Sequence, residues 1–378
     1  MNTQNSYLAS KPHYEILDGL RGVAAVMVVI FHLFEAHAGG NHLEQIINHG
    51  YLAVDFFFML SGFVIGYAYD DRWNRMSTVT FFKRRIIRLH PMVIMGAVLG
   101  AITFYIQGCE KWDGTQVSIS MLMLAMLLNL FLIPAIPGPG HEVRGNGEMY
   151  PLNGPSWSLF FEYIGNLLYA LFIRRMSTKA LTVFVIFAGI GLASFAISNF
   201  SGYGHLGVGW SLLDYNLLGG FLRLLFSFSI GLLMSRIFKP VHIRGAFWIC
   251  SLTIAVLLSV PHIGGTEALW MNGIYDSVCS IIIFPILVYL GASGKTTDKG
   301  TSKICKFLGD ISYPLYIVHY PFMYLFYAWV WGEKLTFSQA WPIALGLFFG
   351  NILLAYLCLK LYDEPVRKWL SKKFLVKK

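Results

Sequence analysis

Residues 18–35 read DGLRGVAAVMVVIFHLFE. The stretch is apolar enough to lie in a bilayer, yet it carries Asp18, Arg21, His32 and Glu35. A helix advances 1.5 Å and 100° per residue, so the eleven steps from Arg21 to His32 come within roughly 20° of three full turns and cover roughly 16 Å. Asp18 lies one turn below Arg21 and Glu35 one turn above His32. All four fall on one face, a polar stripe running through a membrane helix. Charged groups inside a span are expensive and face a cavity or a pathway by default. The bland readings are that Arg21 snorkels to the inner headgroups and that His32 is a neutral helix–helix hydrogen-bonding group. Four aligned polar residues weaken both.

The rest of the chain supports the membrane assignment. Of 378 residues 56% are hydrophobic and only 13% charged, and the mean hydropathy is +0.58. Soluble domains carry about 25% charged residues. The polar N-terminal residues 1–19 show no signal-peptide pattern, so the first helix is expected to be retained. Five scattered cysteines (Cys109, Cys250, Cys279, Cys305, Cys358) form no CxxC and suggest neither a zinc site nor a disulfide framework, so no metal is expected.

Apolar runs predict an all-α polytopic membrane protein with about ten spans: 16–38, 51–69, 91–107, 157–173, 180–199, 216–236, 246–262, 273–291, 307–331 and 341–361. The run 119–136 reads as re-entrant or interfacial, because IPAIPGPG (133–140) suits a broken helix. With that run not crossing, 23 of the 29 Lys and Arg residues fall in segments on the cytoplasmic side, three lie outside (Lys111, Arg144, Lys334) and three lie within spans. Basic residues accumulate in cytoplasmic loops, so both termini are placed in the cytoplasm. The net charge of +9 is then a topology signal, and no nucleic-acid partner is expected. The chain reads as one integral membrane domain, 1–378 with a core of 14–370, without internal repeats or an appended soluble domain.

Three further polar sites stand out. FFKRRIIRLHP (81–91) sets Arg85 and Arg88 on one helix face, a pair suited to a polyphosphate because guanidinium binds phosphate oxygens bidentately. The plain alternative is a juxtamembrane cluster that sets topology or touches anionic lipid. PLNGPSWSLFFEYIGN (151–166) opens a span with Trp157 and Ser158 and carries Glu162 and Asn166 inside it. SYPLYIVHYPF (312–322) places Tyr316 and His319 one turn apart; aromatic-belt packing accounts for the tyrosine by default, and for His319 packing and function are equally good accounts.

Taken together, these segments resemble the acyltransferase-3 family of integral membrane acyltransferases. The resemblance rests on Arg21 with ten residues before His32 in LDGLRGVAAVMVVIFH, AVDFFFMLSGFVI (53–65), Arg85-x-x-Arg88, WSLFFE (157–162), SYPLYIVHYPF and DEPVRKWL (363–370). Each motif alone is weak; their order and spacing are specific from Asp18 to about Leu370. Ala53 departs from the glycine that the family often carries before Val-Asp. The resemblance implies an O-acyltransferase of the cytoplasmic (inner) membrane, in a bacterial setting. It would move an acyl group, commonly acetyl, from cytoplasmic acyl-CoA to a hydroxyl of an extracytoplasmic glycan or lipid-linked saccharide. In that reading His32 is the general base, oriented by Glu35 or Glu162. Arg21 positions CoA or, if the reacting centre lies close enough, stabilises the oxyanion. Arg85 and Arg88 bind CoA phosphates, and Asp18, Trp157, Ser158, Asn166, Tyr316 and His319 are substrate-binding candidates. An acyl-His32 relay and direct transfer both remain open. The rival reading is a secondary transporter or glycan flippase, which predicts paired halves with interrupted helices; the sequence shows no such pairing. A non-catalytic assembly scaffold would not require Arg21 and His32 to be aligned.

Overall fold

The protein was examined as a computed structural model describing residues 11, 13–135, 142–241, 243–296 and 298–375. Among these residues the regular structure is helical, in chain order α1 (Glu15–Glu35), α2 (Ala53–Tyr69), α3 (Thr78–Ile106), α4 (Ile119–Leu130), α5 (Ser156–Leu171), α6 (Thr178–Ile197), α7 (Asn216–Ile237), α8 (Ala246–Ser259), α9 (Leu269–Val278), α10 (Phe284–Ser293), α11 (Lys299–Gly332), α12 (Phe337–Cys358) and α13 (Glu364–Phe374). A π turn, Cys279–Ile283, joins α9 to α10, and another, Leu359–Asp363, joins α12 to α13.

Eight helical segments among the described residues are long and apolar enough to cross a membrane. Their outward faces carry bare aliphatic and aromatic side chains, such as Phe187 at 70% exposure on α6 and Leu353 at 59% on α12. The bilayer is the solvent that such faces require. Two further segments enter the ten-span reading. α8 has only 14 residues, or about 21 Å of helix. α11 has 34 residues but is rich in Tyr, His and Pro through its middle. α11 tolerates those polar groups because they are buried: it packs along α1, the most extensive helix contact in the protein together with that of α2 and α7.

α4 is a 12-residue helix, about 18 Å long, which falls short of the roughly 30 Å hydrocarbon core. It starts at Ser118, whose hydroxyl accepts from the Met121 N–H at 3.3 Å, and it packs against α3. The Pro/Gly run at 136–141 lies outside the described residues. The third span starts earlier than the sequence suggests, at Thr78 rather than 91, with Ser77 capping the Thr80 N–H at 3.1 Å. Arg85 and Arg88 therefore sit well inside a helix that runs on through Pro91.

The crossing of α2 and α7 is built on glycine. A Cβ on Gly62 would lie 2.0 Å from the Phe228 carbonyl oxygen, and one on Gly231 would lie 2.1 Å from that of Met59. The two backbones touch, as small residues allow between membrane helices. This contact brings Asp55 of α2 against Arg223 of α7. Both are fully buried, with Arg223 Nη2 donating to Asp55 Oδ2 at 2.7 Å.

Candidate active site

A cavity of about 380 Å³ opens between α1, α2, α5, α7 and α11. Its upper wall comes from segments 108–118, 142–155 and 198–215, which the charge bias places outside. His32 and Glu35 line it. Because they are three residues apart on α1, their side chains meet: His32 Nδ1 and Glu35 Oε2 are 2.6 Å apart. A carboxylate oxygen accepts, so Nδ1 carries the proton and donates. The Nε2 lone pair is left free, as a general base requires. Tyr327 of α11 donates to the same Glu35 oxygen at 2.7 Å and stands 3.0 Å from the His32 carbonyl. Glu35 is thereby fixed from two helices. The His32 ring meets that of Tyr320 edge-on at 4.6 Å.

Glu162 does not join this group, which corrects the alternative orienting role that the sequence left open. Its Oε1 accepts from Arg85 Nη2 at 2.7 Å and from the Ser61 hydroxyl at 2.9 Å. An intramembrane carboxylate needs a cation, and α3 supplies one. The same pairing largely commits Arg85 within the bundle. Arg88 differs: its side chain is exposed, and no carboxylate stands within ion-pairing distance of it among the described residues. Arg88 lies in the electrostatic neighbourhood of Arg21, Arg367 and Asp363. Arg21 pairs with Asp18 at 3.3 Å, and Arg367 with Asp363 at 2.8 Å. Four guanidiniums thus stand near three carboxylates below the cavity, a surplus of positive charge.

Of the remaining sequence candidates, Trp157 and Tyr316 line the cavity. Ser158 sits behind Tyr316, with 2.8 Å between their hydroxyls. Asn166 is buried and donates to the Glu162 carbonyl at 2.7 Å within α5, away from the cavity. Asp18 belongs to the lower charged cluster. His319 is fully buried, with its ring 5.5 Å from that of His32. Its Nδ1 donates to the Leu315 carbonyl at 3.0 Å, and its Nε2 lone pair has no partner.

Several site residues escaped the sequence reading. Asp55, Arg223 and Asp276 are charged residues inside apolar runs, the signal that exposed Glu162. Arg223 also donates to the Val208 and Tyr51 carbonyls, each at 2.7 Å, and its guanidinium lies 5.2 Å from the Trp157 ring. Asp276 accepts from the Tyr51 hydroxyl at 3.0 Å and the Leu206 N–H at 2.8 Å, tying the 198–215 segment to the floor. Glu148 of the 142–155 segment also lines the cavity, and burial raises its carboxyl above the usual range. Glu148 lies in an irregular loop, and no periodicity could have marked it.

Comparison with known proteins places the chain in a family. The acyltransferase-3 family profile, described as an acyltransferase domain, matches residues 14–360. Among curated proteins, "Protein 2 in picA locus" of Rhizobium radiobacter is 33% identical over 177 residues, covering 43% of this chain and 84% of that protein. "Acyltransferase MdmB" of Streptomyces mycarofaciens is 25% identical over 351 residues, covering 87% of this chain and 83% of the relative. "Peptidoglycan O-acetyltransferase OatA" of Listeria monocytogenes is 31% identical over 96 residues, 25% of this chain and 14% of its own length. No solved structure matches the chain at a significant level. The family match spans nearly the whole chain, including His32, Glu35, Arg21, Arg85 and Arg88: the protein belongs to the acyltransferase-3 family of multi-pass membrane acyltransferases.

Proposed function

We propose that the protein is an O-acyltransferase of the cytoplasmic membrane, with an acyl-CoA, most simply acetyl-CoA, as donor and a hydroxyl of an extracytoplasmic or lipid-linked glycan as acceptor. The observation that carries this reading is the His32–Glu35 dyad, a base with its lone pair free at the wall of a cavity. Glu35 and Tyr327 hold the imidazole, so no reorganisation is needed when a hydroxyl arrives. His32 Nε2 takes the hydroxyl proton as the acceptor oxygen closes on the thioester carbonyl carbon. The carbon–sulfur bond breaks, and the same nitrogen returns the proton to the departing thiolate. The electron pair leaves with sulfur, and no proton is gained or lost overall.

The donor end fits the lower cluster. Arg88 and Arg21, backed by Arg367, supply positive charge for CoA phosphates. The roughly 16 Å of helix between Arg21 and His32 is a span that an extended pantetheine arm can bridge. At the other end, the aromatic walls offer flat faces for the acceptor. OatA, by its name, acetylates peptidoglycan, which favours acetyl and a glycan hydroxyl here.

The test uses protein in nanodiscs with acetyl-labelled acetyl-CoA and a glycan extract. Wild type is expected to transfer label. His32→Ala and Glu35→Gln are expected to bind CoA normally and lose transfer by about 10²–10⁴-fold, the range of general-base catalysis. Arg88→Ala is expected to bind CoA poorly. Unchanged transfer by His32→Ala removes the base, and absence of acyl-CoA binding by wild type removes the donor.

A further inference from the structure

The loop carboxylate Glu148 belongs to no part of the proton-transfer machinery, yet it is held with care. Asn146 Nδ2 donates to its Oε1 at 2.9 Å, and the Tyr324 hydroxyl donates to its Oε2. The Arg144 guanidinium lies 3.7 Å from the centre of the Tyr324 ring and is itself 1% exposed. Arg144 is boxed by Phe104 at 4.7 Å and Trp112 at 5.0 Å, and it donates to the Pro151 carbonyl at 2.9 Å and to Gln107 Oε1 at 2.5 Å. The next residue, Met149, donates its N–H to the Trp210 carbonyl at 2.9 Å, which pins this loop to segment 198–215. Glu148 is thus a rigid half-buried carboxylate in a cavity wall. A carboxylate accepts about four hydrogen bonds, so about two remain to be filled.

The cavity's charge balance bears on what fills them. Glu35 and Glu148 both line it. The single Lys or Arg among its described lining residues is Arg223, whose charge is matched by Asp55; Arg144, behind Tyr324, offsets part of the Glu148 charge and leaves that of Glu35 standing. His42 and His205, also in the wall with rings 4.2 Å apart, are kept neutral by burial. The rest of the wall includes the indoles of Trp112, Trp157, Trp210 and Trp331. Such a chamber offers flat apolar faces and hydrogen-bond acceptors, and it repels a second negative charge.

We propose that Glu148 is the acceptor-recognition residue and that the sugar acylated here is uncharged: a neutral pyranose lies on the indole faces and gives two hydroxyls to Glu148, while uronic, sialic or phosphorylated sugars are turned away. This rests on the glycan-acceptor reading above. Arg144 acts through Tyr324 as a positioning residue for the carboxylate.

The test gives nanodisc protein ¹³C-acetyl-CoA and the glycans of its native host, and tandem mass spectrometry then locates the label residue by residue. Label on a hexose or N-acetylhexosamine is expected. Label on a uronic, sialic or phosphorylated residue overturns the proposal and leaves the glycan reading intact. Label on no sugar, with acyl-CoA still consumed, overturns both. With the labelled glycan as substrate, Glu148→Gln is expected to raise KM roughly tenfold or more, to leave kcat within about twofold and to leave CoA binding unchanged. A loss confined to kcat, or a KM that does not move, overturns the assignment of Glu148.

Discussion

A buried histidine decides how segment 198–215 responds to acid. The Gly207 N–H donates to His205 Nδ1 at 2.9 Å, so that nitrogen must keep its lone pair. Burial, reinforced by the neighbouring His42, holds the His205 pKa well below 6.5. A base whose folded pKa is depressed leaves the closed form fully favoured above the open-state pKa. That preference is lost as pH falls through 6.5, because only the open loop then takes up a proton. Amide exchange across 198–215, corrected for its intrinsic rate, is expected to quicken roughly tenfold or more between pH 7 and pH 5. His205→Asn, which keeps an acceptor without a proton to gain, is expected to flatten that response; an equal response in both proteins would remove His205 from the account. The residue scale also shows where sequence reading stops. His32 and Glu35 were legible because three residues on one helix bring side chains together. Glu148 was not, since its place depends on a loop pairing between Met149 and Trp210. Tyr320, Tyr324 and Tyr327 carried no mark in the sequence, and only the packing of α11 on α1 makes them part of the cavity wall. Glu162 offered no hint of its partner, because Arg85 lies 77 positions away.

Among the elements, the α2–α7 crossing matters most to the site, for it joins Asp55 to Arg223. Removing one partner of such a pair leaves a desolvated charge, a loss of about 3–5 kcal/mol in buried pairs generally. The crossing is equally intolerant of volume. Gly231→Ala would set a methyl against the Met59 carbonyl, and backbone cannot swing aside as a side chain can. Overpacking of this kind costs about 1–3 kcal/mol. The variant is therefore expected to lower the Tm in detergent by several degrees and to lose acyl transfer. Gly346→Ala, on the open face of α12 with nothing within 4 Å, is expected to leave both unchanged or slightly improved. Equal effects at the two positions would show that the crossing is not tight. The start of α3 at Thr78 was hidden from the sequence because Lys83, Arg84, Arg85 and Arg88 interrupt the apolar residues Val79, Phe81, Phe82, Ile86 and Ile87 of its first three turns, and because Pro91, a helix breaker in water, is tolerated where neighbouring helices satisfy the freed backbone.

At the scale of the whole molecule, an aromatic-walled cavity stands at one end of the α1 stripe and a cluster of guanidiniums at the other. The polar stripe of α1 runs between them. Such a path invites a different hazard, a short circuit. A continuous thread of water from Arg21 to His42 would let protons run down the gradient that energises the membrane. The bridges Arg85–Glu162 and Arg223–Asp55 stand in the bundle, the second at the cavity wall, each charge already answered by its partner and flanked by buried aromatic rings. They are expected to act as electrical insulation. Sealed proteoliposomes holding wild-type protein and an internal pH dye are expected to keep an imposed gradient about as long as protein-free vesicles. Collapse of the gradient within seconds would show the stripe to be a wire. An acyltransferase built into a membrane must remain a dielectric to everything smaller than its substrates.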